Sequence, residues 1–350
     1  MSGTMRVAVY YNNHDVRIEE RPIPRIGPRE LLVKVRASGI CGSDVLEWYR
    51  VPKAPLVLGH EIAAEIVEVG GEVKGFGRGD RVFVSHHVPC LECARCRSGH
   101  ETVCRTLRTT NFDPGGFAEF VRVPEINVLH GVFRLPENLS WEDGVFVEPL
   151  ACVVRGHRAA DVRPGQSILV IGSGMTGLLH IRLARATGAG NVVATDVLEN
   201  RMAAARSSGA DAVFRADDDI AGKLKDRNRG GLADRVIVST GAPTAIEQAF
   251  ALVEPGGTIL FFAPTDADRH MRMPFNRLWR DEVTMTSTYG ASPRDILESM
   301  SLLQQGRVEV RDLVSHRLPL EDAAKGFQLV ADGRASLKVL LSPDMPPHSS

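Results

Sequence analysis

The sequence predicts an α/β fold, a β-rich amino-terminal part followed by a doubly wound parallel sheet, on three observations. Strand-like alternation fills the first 125 residues, apolar runs and helical patterns alternate from about residue 155, and a glycine-rich loop joins the first such run to the first such helix. With 350 residues, 43% of them apolar and 24% charged, the chain can bury a substantial interior and disorder is excluded. At about 150 residues per domain, two domains are expected.

In the β-rich part, Leu31 to Ala37 alternates apolar residues with Lys34 and Arg36, and Arg81 to Val84 and Phe117 to Val123 behave alike. Ser167 to Ile171 then reads as a buried strand, Met175 to Thr187 as a helix and Asn191 to Thr195 as a second strand, together a βαβ unit. In that helix Met175, Leu178, Leu179, Leu183 and Ala186 share one face. Further strands are expected at Arg235 to Ser239, Thr258 to Ala263 and Glu282 to Thr288, with a helix at Thr244 to Val253 and a turn at Pro255-Gly256-Gly257. After Tyr289, Ser292 to Gln305 reads as helix, Ser336 to Leu341 as a strand and Pro343 to Ser350 as a loose tail.

The 42 basic and 43 acidic residues nearly cancel, leaving a formal charge of -1 and no global field for nucleic acid or an anionic membrane. Met1 to Glu20 carries Asp15, Glu19 and Glu20 and does not read as a secretory signal, and no run reaches the ~18 apolar residues of a membrane helix. The expectation is a cytoplasmic protein with a small-molecule partner.

The loop Gly172-Ser173-Gly174-Met175-Thr176-Gly177 is a G-x-G-x-x-G run between strand and helix. Gly172 permits the tight turn, Gly174 lets backbone approach a pyrophosphate, Gly177 allows close packing, and the helix start supplies N–H groups and positive dipole. Asp196, 19 residues past Gly177, is placed to accept ribose hydroxyls, and its charge would oppose a 2′-phosphate, which favours NAD over NADP. Arg201 would soften that preference or serve as a solvated helix residue.

Six cysteines are present, four of them at Cys90, Cys93, Cys96 and Cys104. Four thiolates so spaced can close a tetrahedral shell around one structural zinc, whereas the bacterial ferredoxin run needs a fourth cysteine three residues on and then proline; here the gap is seven and Arg105 follows. A dispersed set adds Cys41 in Gly39-Ile40-Cys41-Gly42-Ser43-Asp44, His60 and Glu61 in Gly59-His60-Glu61, and Glu148 in Glu148-Pro149-Leu150. Singly, each has an ordinary reading: core thiol, hydrogen-bonded histidine, surface carboxylate.

In this order, over nearly the whole chain, these motifs resemble the medium-chain zinc-dependent dehydrogenases. The resemblance implies a GroES-like catalytic domain over 1–154 with a zinc lobe at 86–106, a Rossmann NAD-binding domain over 155–291 and a return to the catalytic domain over 292–350, with catalytic zinc in the cleft between them. It implies Cys41 and His60 as ligands of that zinc, with Glu61 or Glu148 as the carboxylate; both are expected near the metal, Glu61 bound at rest. Glu148 with Cys41-Gly42-Ser43-Asp44 looks like the polyol branch, which oxidises secondary alcohols to ketones with NAD; a threonine-like amino-alcohol dehydrogenase and a non-catalytic nucleotide-binding protein are the alternatives. Family habit implies a homodimer or homotetramer joined at the Rossmann edge near Tyr289.

Ser43 is expected to take the alcohol proton and Asp44 to fix the His60 tautomer. Where relatives commonly carry a histidine three residues past this serine, the chain has Leu46, so the relay must end elsewhere, on cofactor ribose and water or on Glu47. Trp48, Tyr49, Phe112 and Tyr289 are read as pocket-lining or core residues, and Arg50 and Lys53 as binders of an acidic substrate or exposed loop charges. Cys152 is read as a small buried hydrophobe.

Overall fold

The computed structural model describes residues 3–346, which fall into two compact units. One comprises Met1–Pro149, Ala291–Gly306 and Val310–Ser350; the other comprises Leu150–Gly290 and Arg307–Glu309.

The second unit carries a six-stranded, wholly parallel sheet in the order Ala212–Arg215, Asn191–Asp196, Ser167–Ile171, Ala233–Val238, Val253–Phe261, Thr284–Ser287. Every residue from Ile168 to Ile171 is buried, as a central strand covered on both faces requires. The helix Met175–Ala186 begins at the glycine loop and covers the sheet with Leu178, Leu179 and Leu183. One turn expectation is corrected. Pro255-Gly256-Gly257 lies inside the strand Val253–Phe261, where a register shift opposite Ala233 and Arg235 absorbs the irregularity.

The first unit is built on a seven-stranded sheet ordered Val314–Pro319, Lys338–Ser342, Leu31–Ile40, Glu61–Val69, Arg81–Ser85, Val132–Arg134, with Phe120–Val123 also paired to Leu31–Ile40. A three-stranded sheet of Asp15–Pro22, Thr4–Asn12 and Leu56–Val57 joins it. Leu31, Val33 and Val35 point into one core with Ile62, Ala64, Val82 and Val84. The tail is tied down as far as it is described, because Asp344 pairs with Lys34 at 2.6 Å and Arg36 at 2.5 Å; 347–350 lie outside the described residues. Among the described residues no helix is long and apolar enough to cross a membrane.

Candidate metal centre and dinucleotide loop

Cys41 follows the strand Leu31–Ile40 directly, and its Sγ accepts the Ser43 N–H at 3.4 Å at the start of the turn Gly42–Val45. His60 and Glu61 enter from the neighbouring strand, Glu61–Val69, whose first residue sits opposite Gly39. Gly39 is required there: a Cβ on it would come within 2.1 Å of Glu61 Oε2. The result is one ligand atom each from Cys41, His60 and Glu61, all within 4.8 Å of one another. Glu148, in the first turn of Val147–Ala159, is outside that set among the described residues.

The support around these residues is specific. Asp44 is fully buried; its Oδ2 accepts the Cys41 N–H at 3.0 Å and its Oδ1 stands 3.4 Å from His60 Nδ1. That contact leaves Nε2 as the ring's free donor atom for a metal. Burial alone would raise the Asp44 carboxyl, yet His60 and Arg50 hold it below the usual carboxylate range. Arg50 donates to Ser43 O at 2.9 Å, Ser43 Oγ at 3.3 Å and Asp44 Oδ1 at 3.2 Å, so it is a strut for the Cys41 turn and not an exposed loop charge. Arg50 and Lys53 both lie over the Tyr49 ring, with Arg50 Cζ 4.8 Å and Lys53 Nζ 3.5 Å from its centroid. Trp48 and Tyr289 are exposed, whereas Phe112 is core, edge-on to His86. Cys152 is only partly buried.

The donor set fits zinc: one sulfur, one imidazole and one carboxylate suit a catalytic site with an open position. Glu61 Oε1 is buried and has no hydrogen-bond partner among the described residues, an orphan that a cation would satisfy.

Three residues of this region carry no sequence signal strong enough to single them out. His86 and His87 stack at 3.9 Å, with His86 4.9 Å from His60. Burial above all holds His86 well below its ordinary value and His87 down to about 4, so both are uncharged at neutral pH. Lys338 is buried and its Nζ lies 2.5 Å from Glu61 Oε2. A lone lysine among the apolar residues of Ser336 to Leu341 was the only hint.

In the lobe, Sγ–Sγ separations are 3.5 Å for Cys93–Cys96, 3.6 Å for Cys90–Cys104, 3.8 Å for Cys93–Cys104 and 4.0 Å for Cys90–Cys96. A tetrahedron with metal–sulfur bonds of about 2.3 Å has edges of about 3.8 Å, so these four atoms already outline a closed zinc shell.

In the second unit Gly172 has φ +92°, accessible in practice only to glycine, and a Cβ on Gly177 would meet Gly172 O at 2.0 Å. Gly174 faces open space apart from Arg201 Nη1 at 4.0 Å, the cradle a pyrophosphate needs. Thr176 is anchored to Ser239 by a 2.8 Å hydroxyl contact, a partner the motif does not reveal. Asp196 ends its strand with Oδ2 on the Ser173 N–H and Oδ1 on those of Val197 and Leu198; Arg201 Nη1 is 4.0 Å away.

Residues 27–137 match the alcohol dehydrogenase GroES-like domain model, and residues 176–305 match the zinc-binding dehydrogenase model. A Neosartorya fischeri protein named "Probable D-xylulose reductase A" is 33% identical over 343 residues, 94% of each chain. The chain belongs to the zinc-dependent medium-chain alcohol dehydrogenase family. This dehydrogenase is also similar to the solved alcohol dehydrogenase TADH from Thermus sp. ATN1, with TM-score 0.87 and 30% identity over 97% of this chain and 99% of that one. A Sinorhizobium meliloti 1021 dehydrogenase solved with NADP has TM-score 0.87 and 27% identity, covering 97% and 100%.

Proposed function

We propose that this dehydrogenase transfers a hydride from a secondary alcohol, a polyol or cyclitol, to NAD and yields the ketone. The observation that carries the reading is the convergence of Cys41, His60 and Glu61 around a buried, unpartnered carboxylate oxygen. The similarity to a D-xylulose reductase supports the polyol class.

Cys41, His60 and Glu61 would hold the catalytic zinc, with Glu148 close by, and the four lobe cysteines the structural one. Zinc bound there acts as a Lewis acid that lowers the pKa of a substrate hydroxyl toward neutrality. Gly172, Gly174, Met175, Thr176, Gly177, Asp196 and Arg201 would hold the dinucleotide, Asp196 disfavouring a 2′-phosphate. Ser43 accepts the alcohol proton on Oγ; Arg50, donating to the same oxygen, fixes the rotamer and leaves the serine O–H free to pass a proton on. Leu46 offers no acceptor, and Glu47 is turned to the Asn13 N–H at 3.0 Å, which favours cofactor ribose and water as the end of the relay from Ser43. Phe275, Trp279 and Met285 are 64%, 73% and 43% exposed at or near the edge strand Thr284–Ser287, which supports a homo-oligomer.

The test combines elemental analysis with a panel of polyols, cyclitols, secondary alcohols and amino alcohols against NAD and NADP. Two zinc ions per chain and NAD reduction by polyols or cyclitols are expected. One ion confined to the lobe, or no reduced nicotinamide from any alcohol, overturns the reading; oxidation of ammonium-bearing substrates alone would make this an amino-alcohol dehydrogenase.

A further inference from the structure

Glu61 and Lys338 form an ion pair closed off from water, the carboxylate 0% and the ammonium 1% exposed. Lys338 opens the strand Lys338–Ser342, whose next residue, Val339, pairs with Ile40, one residue before Cys41. Its Nζ also reaches Ile40 O at 3.5 Å and lies 5.9 Å from the Phe146 ring centroid. Lys338 thus lies against the strand that leads into Cys41 and on the side of Glu61 taken by Oε2.

The two carboxylate oxygens are treated unequally. Oε2 is taken by Lys338, in a space that exists because residue 39 is glycine, while Oε1 is buried with no hydrogen-bond partner among the described residues, on a carboxylate that has an oxygen within 4.8 Å of the Cys41 and His60 ligand atoms. A carboxylate free at both oxygens can grip a cation with both; one shared with an ammonium gives only the other, and with reduced charge. We propose that Lys338 is a positioning residue that pins Glu61 by Oε2, so that the carboxylate meets the catalytic cation through Oε1 alone and detaches reversibly. This rests on the zinc reading above.

The test uses the full chain with cobalt in the catalytic position, comparing wild type, Lys338→Met and Lys338→Arg by the visible d–d spectrum and by the rate of metal release to a chelator. In Lys338→Met the freed carboxylate should bind with both oxygens, weakening the d–d bands and slowing release about tenfold, opposite in sign to the roughly 10- to 100-fold loss that follows removal of a group that merely supports a ligand. Lys338→Arg should resemble wild type. An unchanged spectrum and rate, or faster release, in folded Lys338→Met overturns the proposal. Should Lys338→Met not fold, Glu61→Gln is compared with Glu61→Gln/Lys338→Met, which buries no unpaired charge. Equal release from those two supports an action through Glu61, and a difference overturns it. A wild type with zinc in the lobe alone would instead defeat the zinc reading itself.

Discussion

Asp44 Oδ1 stands 3.4 Å from His60 Nδ1, and the same carboxylate caps the Cys41 backbone through Oδ2. One buried side chain thus orients two candidate ligands, by ring tautomer and by turn geometry. Asp44→Asn keeps the shape and removes the charge. Affinity at the catalytic position should fall about 10- to 100-fold in a chelator competition, with the lobe ion retained.

Ser43 Oγ receives Arg50 Nη2 at 3.3 Å. Ser43→Ala removes the proton acceptor and leaves the cage intact, so turnover should drop about 100-fold or more while zinc content stays at two per chain. Unchanged turnover would exclude the serine relay.

Asp196 gathers three backbone N–H groups at the strand end. Its charge would cost a 2′-phosphate about 4 kcal/mol per phosphate charge at 4 Å and effective dielectric 20, before relaxation. Asp196→Asn should therefore raise the NADP-to-NAD ratio of kcat/KM by about tenfold or more. An unmoved ratio would mean that cofactor choice is made elsewhere.

His157 and His180 stack at 5.2 Å, with Phe262 edge-on to His180. Burial pushes His157 down to about 3 and is also the largest cause holding His180 well below its ordinary value. The folded state therefore binds fewer protons than the unfolded one below the ordinary histidine value of about 6.5. The stability from keeping His157 neutral is fully present above that pH and is lost between about 6.5 and 3, at about 1.4 kcal/mol per pH unit. His157→Phe should narrow the Tm difference between pH 7.5 and pH 5, and an unaltered difference would contradict the linkage.

Trp279 and Met285 expose large apolar surfaces beside an edge strand that pairs on one side only among the described residues. Trp279→Glu with Met285→Lys should shift sedimentation from oligomer toward monomer without changing the zinc content. A wild type that sediments as a monomer refutes the homo-oligomer reading.

The features legible in sequence are those whose partners are near in the chain. The four cysteines lie within 15 positions, and the strand, glycine loop and helix of the dinucleotide site are contiguous. Cys41, His60 and Glu61 were legible as types, but their convergence depends on adjacent antiparallel strands in a register that no spacing encodes. Lys338 stood out only as a lone lysine in an apolar strand, because its partner is 277 residues away. Arg50 was misjudged because its exposure depends on how the turn after Cys41 folds back.

The seven-stranded sheet draws two of its members, Val314–Pro319 and Lys338–Ser342, from the far end of the chain. On a ribosome, the nucleotide-type unit, 150–290 apart from one short piece, is synthesised in full while the sheet behind the thiol and imidazole still lacks both strands. The β-rich unit is thus completed after the nucleotide-type unit, and Glu61 acquires its lysine partner only once the strand Lys338–Ser342 has been made.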